Sequence, residues 1–239
     1  AILAVMEDKS LKHGPIEVLV TYDEETGMTG AHCLKPGVLK GDILINLDSE
    51  EEGELCVGCA GGLDASAEFK YLKYNTKPGH DGLRITVKGL QGGHSGMDIS
   101  LYRANANKVM ARILLPLVEI FGVKVVSFNG GSLRNAIPFE AVAEVAIPHE
   151  NTESVKKLIG NIFDEVKAEF KESDPSAALY VDDVPAAPKH IQSSVMLRAI
   201  KAIIACPSNV IRMSRTMEGL TETSINLAIV RTERGRITV

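Results

Sequence analysis

Residues 151–175 run NTESVKKLIGNIFDEVKAEFKESDP. Apolar Val155, Leu158, Ile159, Ile162, Phe163 and Val166 recur at helical spacing, Asn151 or Thr152 stands where a first-turn cap belongs, and Asp174-Pro175 ends the pattern. The spacing predicts a helix over 152–172. Strand-like runs flank it at 139–147 and 177–184, and upstream come a strand at 83–89, a helix at 101–120 and a strand at 123–128. Strand, helix, strand, strand, helix, strand is the order of the split βαβ, or ferredoxin-like, arrangement, an α+β fold.

Outward from this block, residues 64–74 and 83–89 alternate like antiparallel strands about the turn Lys77-Pro-Gly-His-Asp-Gly82. A further helix is expected at 193–205, ended by Cys206-Pro207-Ser208, and then two strands with a turn near Glu233-Arg-Gly235. Before Gly61-Gly62 the pattern differs. Ile16 to Thr21 (IEVLVT) and Asp42 to Leu47 (DILINL) are short β-rich runs with a Gly- and Pro-punctuated helix candidate between them, which is how a parallel α/β sheet reads. Two domains are expected: 1–62, part of an α/β domain, and 63–239, the α+β domain. Both ends of the chain fall within predicted elements, so a fragment is expected.

The bulk properties exclude some functions. The 239 residues carry a formal charge of −5, with 45% hydrophobic and 24% charged residues. No segment clusters Lys and Arg with aromatics, which argues against a nucleic-acid partner. The longest apolar runs, Ala1 to Met6 and Ile113 to Val118, fall far short of the roughly 18–20 residues of a membrane span. The first residues lack the basic region and cleavage site of a secretory signal. Cys33, Cys56, Cys59 and Cys206 make no disulfide framework, which suits a reducing compartment, and the single pair Cys56-Val-Gly-Cys59 reads as plain structural cysteine.

Thr21-Tyr-Asp-Glu-Glu-Thr-Gly27 sets three consecutive carboxylates after an apolar run, and Asp48 follows the next such run. By itself the first motif reads as an exposed acidic turn. Neighbouring parallel strands would bring these acids to one sheet edge, where they repel unless a cation lies between them. Gly92-Gly-His-Ser-Gly96 puts a histidine in a glycine-rich turn after a strand, and Asn135 stands in Ser132-Leu-Arg-Asn-Ala-Ile-Pro138. Without other support these are a polar loop residue and a turn-capping Asn. His13, His32, His80, His149 and His190 have no partner at ligand spacing and read as surface or loop residues, and Ser49-Glu-Glu-Glu52 as a solvated turn.

EVLVTYDEETGMTGA, DILINLDSEEEGELCVGCAGG, GLQGGHSGMDI, NANK, FNGGSLRNAIP and LTETSINLAIV occur here in that order. Together they resemble the bacterial aminoacyl-histidine dipeptidase (peptidase D) family, within the clan of di-zinc aminoacylases and dipeptidases, over essentially the whole chain. The resemblance implies a cytoplasmic enzyme that hydrolyses Xaa-His and related dipeptides with two zinc ions, built from a catalytic domain and a lid that also serves dimerisation. It implies Glu24 as general base, Glu25 and Asp48 as zinc ligands, His94 as a lid residue that stabilises the tetrahedral oxyanion, and Asn135 as a substrate-binding amide. A ligand is deprotonated by its metal and an unligated neighbour is free to carry a proton, which suits this division between Glu24 and Glu25. The family's remaining ligands have no counterpart in these residues, and two carboxylates do not close a zinc site. Alternatives are another amidohydrolase of the clan, an aminoacylase or tripeptidase, or a lid and dimerisation module without activity of its own.

Overall fold

Apolar strands become a sheet only where a neighbouring backbone takes up their N–H and C=O groups. The computed structural model describes residues 1–48, 53, 56 and 58–239, without the side chains of 25 and 26, and the chain divides into two compact units, Ala1–Leu63 and Asp64–Val239. In the first, three short helices form: α1 (Ile2–Glu7), α2 (Glu24–Gly27) and α3 (Thr29–His32). The expected strands at 16–21 and 42–47 are not among the described elements, so the parallel sheet predicted there is not observed. A parallel sheet needs both faces covered, whereas Val20, Ile43 and Leu44 are 81%, 84% and 79% exposed. The two segments are tied at their starts, where the Glu17 carboxylate accepts the N–H groups of Lys40 and Gly41, each at 2.7 Å. The acidic turn expected at 49–52 lies outside the described residues.

The second unit is mixed α/β with antiparallel sheets. Its strands are β1 (Glu68–Lys70), β2 (Lys73–Asn75), β3 (His80–Lys88), β4 (Gly93–His94), β5 (Lys124–Gly130), β6 (Ala136–Ile137), β7 (Ala141–Pro148), β8 (Ala178–Val184), β9 (Lys189–Ile191), β10 (Asn209–Met213), β11 (Thr221–Ile225), β12 (Arg231–Glu233) and β13 (Arg236–Thr238). Three longer helices are α4 (Ala106–Phe121), α5 (Thr152–Glu169) and α6 (Ser193–Ala205). The main sheet has the order β5-β7-β3-β8, every pair antiparallel. With α4 between β3 and β5 and α5 between β7 and β8, this is the split βαβ order read from the sequence.

Period-2 alternation gives this sheet its inner face. Leu83, Ile85 and Val87 are fully buried while Arg84 between them points to the other side. They pack with Met110, Ile113, Leu114 and Leu117 of α4 and Val155, Ile159, Phe163 and Val166 of α5 in one core. Each such side chain contributes about 1.5–3 kcal/mol on burial. The outer face carries Arg84 paired with Glu144 at 2.7 Å, half and one-third exposed, and such pairs give at most about 1 kcal/mol. Burial of the inner face therefore determines the arrangement.

Expectation and structure part at several places in this unit. Residues 64–74 do not pair with β3 about the 77–82 turn: β1 pairs with β13 and β2 with β9, while β3 lies between β7 and β8. Helix α4 begins at 106, because Asn105 is its cap: the side-chain oxygen accepts the N–H groups of Asn107 at 3.0 Å and Lys108 at 3.2 Å. Neither Asn151 nor Thr152 caps α5 with its side chain. The Thr152 hydroxyl donates to Asp81 at 2.7 Å, and that bond, together with the His149 ring 2.8 Å from the same oxygen, holds the Asp81 carboxyl below its usual range. His190, expected on the surface, is a buried residue of β9 stacked on Tyr74.

Helix α5 ends at Glu169, short of the predicted 172, and Asp174 lies beyond its end with another role. Its carboxylate is 2% exposed, and it accepts N–H groups of Gln91 on one oxygen and of Ala104 on the other, each at 2.8 Å, with the Ser173 hydroxyl also on the second. It thereby pins both ends of the loop between β3 and α4. Asp174→Asn turns one acceptor into a donor facing an N–H, and leaving a buried N–H unsatisfied costs about 1–3 kcal/mol. Urea unfolding should show a loss of that size at unchanged slope; a change below about 0.5 kcal/mol, the ordinary range of an uneventful substitution, would contradict this role.

Candidate active site

The loop from 89 to 105 departs from β3 through Gly89, at φ +76°, where a Cβ would collide with the Ser176 carbonyl. Gly92 (φ +64°) and Gly93 (φ +126°) then turn the chain through conformations that only glycine adopts easily. A Cβ on Gly93 would strike the Asp98 carboxylate and the Arg103 guanidinium. This turn delivers Gly93 and His94 to β4, which pairs antiparallel with β6, His94 opposite Ala136. The Ser95 N–H donates to the Asn135 carbonyl at 2.8 Å. Two residues singled out separately in the sequence, His94 and Asn135, are thus brought together, and both are exposed.

The ring of His94 is oriented by main chain. The N–H groups of Gly96 and Met97 point at its Nδ1, at 3.1 and 3.2 Å. A nitrogen facing two donors acts as acceptor, so the neutral ring carries its proton on Nε2. His94 therefore presents an N–H donor outward. Asn226, from the LTETSINLAIV motif, donates to the Ala136 carbonyl at 2.7 Å and secures β6 behind it. Beside Asn135, Arg134 pairs with Asp64 at 3.4 Å, both exposed.

Among the acidic residues of the first unit, Glu24 opens α2 and is exposed. Its helix follows Asp23 in the left-handed region at φ +62°, and the Thr29 hydroxyl donates to the Asp23 carboxylate. The Gly30 N–H closes the turn on the Tyr22 carbonyl at 3.1 Å, and a Cβ on Gly30 would meet the Tyr22 nitrogen at 2.7 Å. Glu25 is the second residue of α2, and its side chain lies outside the described residues. Asp48 is exposed, with its N–H on the Asn46 side-chain oxygen at 3.1 Å. Among the described residues no group of three or more His, Cys, Asp or Glu side chains is gathered as a metal site. The cysteines are free thiols, and no helix among the described residues is long and apolar enough to cross a membrane.

Sequence reading gave no role to Asp98, Arg103, Asn107 or Asn226, although all but Arg103 lie in quoted motifs. Asn107 and Asn226 bond main-chain atoms distant in sequence, and Asp98 and Arg103 bond main-chain atoms four and eleven residues away across one loop, so no spacing rule points to them.

Residues 79–174 match the peptidase dimerisation domain. The cytosol non-specific dipeptidase of Escherichia coli (strain K12) is 40% identical over 228 residues, 95% of this chain and 47% of that protein. The crystal structure of aminoacylhistidine dipeptidase from Vibrio alginolyticus superposes with a TM-score of 0.84 at 44% identity, covering 100% of this chain and 49% of that one. The chain spans about half the length of each of these relatives. The chain is similar to these bacterial dipeptidases, and its residues 79–174 match the peptidase dimerisation domain.

Proposed function

We propose that the chain belongs to a cytoplasmic, zinc-dependent dipeptidase acting on Xaa-His and related dipeptides, contributing part of the α/β catalytic domain with residues 1–62 and the lid with 63–239. The observation that carries the reading is the exposed His94 ring, whose Nδ1 faces two main-chain N–H groups so that Nε2 is left as the donor, on the strand that pairs beside Asn135. In hydrolysis of a peptide bond the attacking water gives its oxygen to the carbonyl carbon, and the carbonyl oxygen becomes an oxyanion. His94 donates its Nε2–H to that oxyanion; the ring is preset as a donor, so no reorganisation is needed when charge develops. Glu24 takes the proton of the water and returns it to the amine nitrogen as the C–N bond breaks. The Asn135 amide holds the substrate's backbone or carboxylate. Glu25 and Asp48 are the carboxylates this chain would lend to a site for two zinc ions, and the dimerisation domain supports assembly as a homodimer.

A second reading, a lid and dimerisation module without its own chemistry, is favoured for these 239 residues alone. The resemblance assigns them two zinc ligands, and a catalytic zinc takes three from protein.

In the complete dipeptidase, His94→Ala should lower kcat about 10²–10³-fold, the usual loss for one oxyanion donor, and leave KM nearly unchanged. Thermal unfolding and zinc content serve as controls and should match wild type. A deficit confined to KM would remove His94 from the oxyanion. The 239-residue chain with added zinc should release no histidine from an Xaa-His dipeptide by chromatography. Turnover of about 1 s⁻¹ or more, typical of enzymes, would overturn the division of ligands given above.

A further inference from the structure

The geometry points to Asp98 and Arg103 as a positioning pair that sets the tautomer and direction of the His94 ring; this rests on the reading of His94 as an oxyanion donor. The two side chains bracket the glycine turn. The Asp98 carboxylate accepts the His94 main-chain N–H at 2.8 Å, and the Arg103 guanidinium donates to the Gly92 carbonyl at 2.7 Å. They meet each other at 3.6 Å, with 33% and 20% of their side chains exposed. Between the bonded groups lies only Gly93, which like Gly92 stands at positive φ, where the backbone has broad freedom and holds one conformation only if its surroundings fix it.

The consequences run from this pair to the ring. With the His94 N–H anchored on Asp98, the His94 carbonyl accepts the Asp98 N–H at 2.9 Å, closing a turn over 94–98. That turn aims the Gly96 and Met97 N–H groups at Nδ1. A Cβ on Gly96 would fall 3.1 Å from His94 Cε1, so the ring lies directly against the turn. If the anchor is lost, the turn has no fixed origin and the two N–H groups lose their aim. Neutral imidazole would then divide between its tautomers, and only the one with Nε2–H serves the oxyanion. Asp98 and Arg103 touch no reacting atom in this scheme; they act through His94.

The test has a spectroscopic and a kinetic arm. In the chain labelled with ¹⁵N-histidine, long-range ¹H–¹⁵N spectra at neutral or higher pH should show His94 with its proton on Nε2. In Asp98→Ala and in Arg103→Ala the ring nitrogens should shift toward a tautomer average, while amide signals of β3, β7 and β8 stay in place. Arg103→Lys retains a cation and one donor and should keep most of the wild-type pattern. In the complete dipeptidase, Asp98→Ala should lower kcat about 10–100-fold, as loss of an outer partner of a working group does, with KM within about twofold. The double variant His94→Ala/Asp98→Ala should be no slower than His94→Ala alone, because Asp98 has nothing left to position. An unchanged His94 spectrum in Asp98→Ala, or losses that multiply in the double variant, overturns the positioning role. A normal kcat for His94→Ala would instead defeat the oxyanion reading and leave the spectroscopic result standing on its own.

Discussion

A carboxylate removed from water costs several kcal/mol unless donors surround it, and Asp174 is placed so that three do. What those donors are explains the second unit. Gln91 lies where the chain leaves β3, Ala104 where it enters α4, and Asp174 itself follows the end of α5. One side chain therefore ties the exits of a central strand and a helix to the entrance of the other helix. The loop carrying His94 is free to project only because its two ends are fixed at a common point. Without that tie, the entropy of the intervening residues would work against any single orientation of the turn.

The amide side chains act in the same way on the other side of α4. Asn105 caps the helix and also donates to the Leu227 carbonyl at 3.0 Å, while Lys108 reaches the carbonyls of Ile203, Ile204 and Cys206 at 2.9, 2.6 and 2.6 Å. Burial pulls the Lys108 ammonium below its usual range, and the carbonyls at the end of α6 supply the partial negative charge that offsets it. The NANK motif is thus structural. It joins the start of α4 to the end of α6 and to the segment that leads into β12, and Gly130 lacks a side chain where Asn107 approaches.

The order of strands and helices in the second unit's main sheet was legible because burial on one side of each element writes its period into the sequence, as Leu83, Ile85, Val87 and Val155, Ile159, Phe163, Val166 show. Caps and ends were less so. The Thr152 hydroxyl has two eligible uses, and the choice of Asp81 over the helix end depends on a strand seventy-one residues earlier. His190 could not be placed because period alone does not separate a short buried strand from a loop. In the first unit, the runs IEVLVT and DILINL have the composition of strands, yet composition states only that a residue suits a sheet. Whether it joins one depends on neighbours that a local pattern does not contain.

The candidate site was half legible for a related reason. His94 and Asn135 stand out because imidazole and amide groups in glycine-rich segments are chemically conspicuous, yet nothing in either segment says that they meet. Their meeting depends on two short strands, β4 and β6, of two residues each, too short to have a period. The property that fits His94 for its proposed chemistry is further still from the sequence. Which ring nitrogen carries the proton follows from two main-chain N–H groups, those follow from a turn, and the turn follows from glycine torsions that other side chains must hold. Residue type thus identifies the group able to act, and backbone geometry determines the form in which it is presented.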